Sequence, residues 1–140
     1  MGPVSDAAAY LFSEFERLHI LELEFFIGGE RGLTPQKPNP DPKVKRNLDR
    51  ALDRTRKLAS RILRRTPNDR DAMFASVLRL GLRADYLAMV EKKNLAALGE
   101  VNRGRVLAEK LVAADPDCYD AYLTIGVENY LLSLKPAPVR

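Results

Sequence analysis

The chain of 140 residues has one histidine, one cysteine and little aromatic content, and each shortage removes a class of chemistry. A single cysteine, Cys118, excludes an intrachain disulfide framework. Cys118 follows a proline at an expected helix start, where a thiol pKa can be lowered. No second histidine or cysteine stands ready to activate it, and it reads as an incidental turn residue. The lone histidine lies in Glu16-Arg17-Leu18-His19, a carboxylate and imidazole three residues apart, with Glu22 near by. Dimetal helical bundles use that spacing, but they need two such units and further glutamates. One chain cannot supply them, so the alternative, a dimetal carboxylate site, would require a dimer around Glu16 and His19. No metal or other cofactor is expected.

No apolar run approaches the roughly 20 residues of a membrane span. The most apolar stretch, Ala7 to Ile27, contains Glu14, Glu16, Glu22 and Glu24. The first residues lack the basic region of a secretory signal, so a cytoplasmic protein is expected, or an exported one from which a signal segment was removed. Glycines 28, 29 and 32 lack the strand before them and the lysine-serine pair after them that a phosphate loop needs.

What is present is a repeat. Residues 58–74, LASRILRRTPNDRDAMF, align with residues 107–123, LAEKLVAADPDCYDAYL, at an offset of 49. Leu58 falls on Leu107, Ala59 on Ala108, Pro67 on Pro116 and Ala72 on Ala121, and Ile62-Leu63 falls on Leu111-Val112. Each copy encodes an apolar helical stripe, a proline stop and an acidic start to another helix.

Around the repeat the chain reads as all-α, with about five helices. An N-terminal amphipathic helix fills residues 1–27, with Ser5 as its expected cap and Gly28-Gly29 as its stop. A connector over 28–42 carries Pro35, Pro38, Pro40 and Pro42, which forbid helix. Asp41 then caps a helix that starts at Pro42 and runs to about Arg65, with Val44, Leu48, Ala51, Leu52, Thr55, Leu58, Ala59 and Ile62 as its buried stripe. A helix over about 70–92 is expected to bury Met73, Phe74, Val77, Leu78, Ala84, Leu87 and Val90, with a left-handed turn at Asn94. The next, about 95–113, holds Gly99 and Gly104, which predict close approach of a neighbour. The last runs from about Tyr119 to Leu134, and its Tyr119, Tyr122 and Tyr130 read as core aromatics before recognition residues. Residues 135–140 form a tail that is expected to be truncated.

Charge is segregated. Residues 1–30 carry six acids against Arg17, whereas residues 43–70 carry eleven bases against three aspartates. Arg46, Arg50, Arg54, Arg61 and Arg65 recur at helical spacing and form one basic face. This face is expected to be solvated or paired within the chain, with the acidic first helix as a ready partner. Arginines of this kind can also track phosphates, so a nucleic-acid-binding helical protein stays as an alternative. It ranks lower because no aromatic residue interleaves with them.

The proline stops, together with Ala121-Tyr122, Ile125-Gly126 and Tyr130, resemble the tetratricopeptide (TPR) superfamily of helical hairpins. Gly126 would permit close approach within a hairpin. The offset of 49 exceeds that family's period of about 34, so the helices would be longer. The resemblance covers residues 43–134 and implies antiparallel hairpins in a right-handed α-α superhelix. It further implies a non-enzymatic scaffold that binds a protein or peptide on the face of the first helices, which by position holds Asp71, Phe74, Leu78, Asp120, Leu123, Val127 and Tyr130. The last helix has no successor to cover its apolar side. Hence either a homo-oligomer or the remainder of a longer chain is expected.

Overall fold

The computed structural model describes residues 2–19, 39–123 and 125–126, and every regular element among them is helical. Helix α1 spans Gly2–Arg17, α2 spans Pro42–Arg65, α3 spans Arg70–Asp85 and α4 spans Asn94–Ala114. Helical backbone resumes at residues 119–123 and 125–126.

Local chemistry sets the starts of α2 and α3. The Asp41 carboxylate accepts from Lys43 N–H at 2.8 Å, with Pro42 in the first turn where its missing N–H costs nothing. Asp69 accepts from Ala72 N–H at 2.9 Å and so begins α3.

The repeated corner is repeated in backbone geometry. Thr66 ends α2 at φ −134°, ψ 88°, donating its N–H to Ile62 O at 2.8 Å. Asp115 ends α4 at φ −141°, ψ 88°, donating its N–H to Leu111 O at 2.7 Å. The next bonds match too, Asp69 N–H to Thr66 O at 3.0 Å and Cys118 N–H to Asp115 O at 3.1 Å. The corners meet where Arg70 Nε pairs with Asp115 Oδ2 at 3.2 Å.

Successive helices run antiparallel. Glu14, near the end of α1, bonds the start of α2, while Val4 lines a groove with Ala59 at the far end. Met73 at the start of α3 shares an apolar cluster with Leu111 at the end of α4, completed by Cys118 and Ala121. A second cluster joins Ala7, Leu11 and Phe15 of α1 to Leu48, Ala51 and Leu52 of α2 and to Tyr86 and Val90. Removing these side chains from water supplies the main drive for assembly.

Several expectations are corrected. Ser5 is not a cap but lies inside α1, which already includes Gly2. α1 also stops short of Gly28-Gly29: it ends at Arg17, and His19 is left-handed at φ 52°. The rest of the expected first helix, and the connector through residue 38, lie outside the described residues. Beyond Asp85 the backbone widens into a π-helical turn, Tyr86–Val90, which directs Tyr86, Leu87 and Val90 inward together. The left-handed residue that follows is Lys92, at φ 58°, and not Asn94, which opens α4. Lys93 N–H reaches back six residues to Leu87 O at 2.8 Å, closing the wide turn. Gly99 and Gly126 do not mark close approach, since a methyl group at either meets nothing within 4 Å. Gly104 is buried in α4.

Candidate functional site

The apolar stripe of α2 is longer than its cover. Leu48, Ala51, Leu52, Thr55 and Ala59 are buried, but Leu58 and Ile62, expected in the same stripe, are each 43% exposed. They open on a groove of about 210 Å³ whose far wall is Asp71, Ala72 and Ala75 of α3 and whose end is Pro3 and Val4 of α1. The second copy makes the contrast plain, because Leu111, the counterpart of Ile62, is 0% exposed under Met73 of α3.

The basic face borders this groove. Arg46, Arg50, Arg54, Arg61 and Arg65 are all exposed along α2. Arg54 and Arg61 stand one helical turn either side of Leu58, and Arg65 stands one turn beyond Ile62. None of the described ion pairs joins an acid of α1 to them, and Glu22, Glu24 and Glu30 of the expected acidic partner lie outside the described residues. Among the described ion pairs, the bases of α2 that are engaged are Lys45, Arg56 and Lys57, and their partners are Asp49, Asp53 and Glu91.

The most deeply buried acid of α1 serves the fold. Glu14 is 0% exposed; it accepts from Arg17 Nε and, through Oε2, from Asp41 N–H at 2.8 Å. Arg17 Nη2 donates onward to Asn39 O at 2.7 Å, so α1 is stitched to the start of α2. The hydrogen bond to Glu14 comes first among the influences that raise the Arg17 pKa.

A second concavity, about 130 Å³, lies between the start of α2 and the end of α3. Its charges are paired: Lys45 meets Asp49 at 2.9 Å and Glu91 at 3.9 Å, Lys93 meets Glu91 at 2.8 Å, and Arg83 meets Glu100 of α4 at 3.8 Å. Tyr86 lines it with a buried hydroxyl that has no hydrogen-bond partner. Burial, reinforced by the charges of Glu91, Glu14 and Asp49, pushes the phenol up to about 12. Such a phenol stays protonated at neutral pH and is no base there.

The remaining site residues scatter. Asp71 lines the groove, Phe74 packs half-buried against the cluster of Met73, Leu111, Cys118 and Ala121, and Leu78 is half-buried along α3. Asp120 and Leu123 are exposed beyond the second corner, together with Tyr119 and Tyr122, while Cys118 is buried in that cluster. Val127, Tyr130 and the tail lie outside the described residues. Glu16 and His19 are exposed at the end of α1, and no group of three or more potential metal-ligating residues gathers among the described residues. No described helix is long and apolar enough to cross a membrane. In comparison with known proteins, the chain matches no family model, no curated protein and no solved structure.

Proposed function

We propose that this chain is a non-enzymatic, cytoplasmic interaction module of TPR-like design, which holds a protein or peptide on the groove between α2 and α3. The observation that carries the reading is the exposure of Leu58 and Ile62 in a stripe whose members Leu48, Ala51, Leu52, Thr55 and Ala59 are buried. Large aliphatic side chains held half in water next to a trough are what a binding surface offers a partner. The congruent corners at Thr66 and Asp115 support the hairpin-array part of the proposal.

The test compares the wild-type chain with a Leu58→Glu/Ile62→Glu double variant, both immobilised and exposed to extract of the cells that produce the protein. A partner retained by wild type alone, and rebound after purification, supports the proposal. Equal retention by both chains removes the groove from it. Self-association is a second reading, favoured by Tyr119, Tyr122 and Leu123, which are 74%, 46% and 67% exposed. A concentration-independent monomer mass in light scattering would count against it.

A further inference from the structure

We infer that the groove takes an amphipathic helix of a partner protein that carries carboxylates along the edge facing α2. The inference rests on the interaction-module reading and specifies the partner's chemistry.

The apolar part follows from size. An enclosed cavity of about 150 Å³ holds one benzene molecule, so a trough of about 210 Å³ accepts the ends of one or two aliphatic side chains. It is lined for them by Val4, Leu58, Ile62 and Ala75.

The helical part follows from the repeat. Position for position, Ile62 corresponds to Leu111, and what covers Leu111 is a helix, α3, laid antiparallel along α4 and contributing Met73. The helix laid along α2 is α1, whose Val4 reaches the groove but leaves Leu58 and Ile62 half open. The backbone beneath the two positions is the same, so the open one fits the kind of element that already fills the closed one. A helix meets such a trough with apolar residues at i, i+3 or i+4, and i+7.

The acidic part follows from the rim. Arg54, Arg61 and Arg65 flank Leu58 and Ile62 on one side, all exposed, and no described ion pair engages them. The planar guanidinium matches a carboxylate with two parallel hydrogen bonds. The opposite rim carries Asp71, so a base on the partner's other edge completes the match and fixes the direction of the helix. Nucleic acid suits the site less well. A phosphate backbone gains nothing from an apolar trough, and α2 contains no aromatic side chain on which a base could stack.

Exposed charge pairs are individually weak, so the three arginines together set about a tenfold preference while the apolar contact supplies most of the affinity. The probe is a fluorescein-labelled synthetic helix of 16 residues with leucines at helical spacing, glutamates on one edge and lysines on the other. Two control peptides carry glutamine, or lysine only, on both edges. Anisotropy titrations use the full chain, its Arg54→Gln/Arg61→Gln/Arg65→Gln variant and its Leu58→Glu/Ile62→Glu variant, with circular dichroism to establish that each is folded. The expected result is preferential binding of the glutamate-edged peptide, weakened about tenfold by the arginine substitutions and by raised salt, and abolished by the leucine and isoleucine substitutions. Equal binding of all three peptides overturns the acidic preference and leaves the groove reading standing. Failure of every peptide overturns the inference alone if a natural partner still depends on Leu58 and Ile62, and the module reading as well if none does. Tighter binding of a 20-nucleotide single strand, lost in the arginine variant, overturns it in favour of nucleic acid.

Discussion

Replacing Glu14 tests whether one buried carboxylate holds the start of α2 against α1. In Glu14→Ala the part-buried Asp41 N–H loses its acceptor, which costs about 1–3 kcal/mol to the extent that water cannot replace it. The lost Cγ methylene adds about 0.8 kcal/mol of apolar burial. The bond from the half-exposed Arg17 adds little, because water and salt screen it. The sum is about 2–4 kcal/mol, which for a domain of this size lowers Tm by about 10 °C. Glu14→Gln keeps an oxygen that can accept from Asp41 N–H but gives up the acceptor of the half-exposed Arg17 and the charge beside a helix N-terminus, a change of about 1 kcal/mol. Urea unfolding followed at 222 nm measures both variants, with an unchanged m-value as the sign that stability alone has moved. Were the alanine variant to lie within about 0.5 kcal/mol of wild type, the stitch would be decoration. Were glutamine to cost as much as alanine, charge rather than hydrogen-bond geometry would be what Glu14 contributes.

Lys92→Gly relieves a side chain at φ 58° and should stabilise the fold by about 1 kcal/mol, read as a higher urea midpoint; no gain would mean that this stop is not held left-handed. Gly99→Ala, exposed inside α4 with open space around its Cα, should stabilise by a similar amount, about 0.8–1 kcal/mol, and a loss would reveal a neighbour at that position. Tyr86→Phe removes a buried hydroxyl without a partner and should be neutral or stabilising at pH 7; a loss above about 1 kcal/mol would show that the hydroxyl is bonded. The same residue sets an alkaline limit. Its folded pKa is raised from 10.0 to about 12, so its contribution is intact below about pH 10 and lost as pH rises towards 12. Wild type should therefore unfold at lower pH than Tyr86→Phe, and absorbance at 295 nm should show a phenol titrating above pH 10 that is missing from Tyr86→Phe.

The helix start at Asp41-Pro42 was legible because capping depends on a few adjacent residues, and the paired corners were legible because proline acts where it stands. What the pattern could not carry was the cover over each face. Leu58 and Ile62 fit the same helical period as Leu52 and Ala59, and only the reach of α1 and the placement of α3 decide which pair stays wet. Lys92 turns left-handed without a glycine because the π-helical turn and the bond to Leu87 O over-determine its backbone. Glu14 had a visible signal: it lies three residues after Leu11 and four before Leu18, an acid inside an apolar stripe. Such a residue must either be paired or break the helix face.

The stitch at Glu14 closes a loop, since its bond to Asp41 joins residues 27 apart in sequence. A covalent link across a loop of that size would restrict the unfolded chain by about 3.5 kcal/mol on the chain-entropy view. A chain with a single cysteine cannot make such a link within itself, and here a carboxylate closes the circuit in a form that no change of redox state can open. Because closure entropy grows only with the logarithm of length, doubling the segment between the stitched ends would cost about 0.6 kcal/mol.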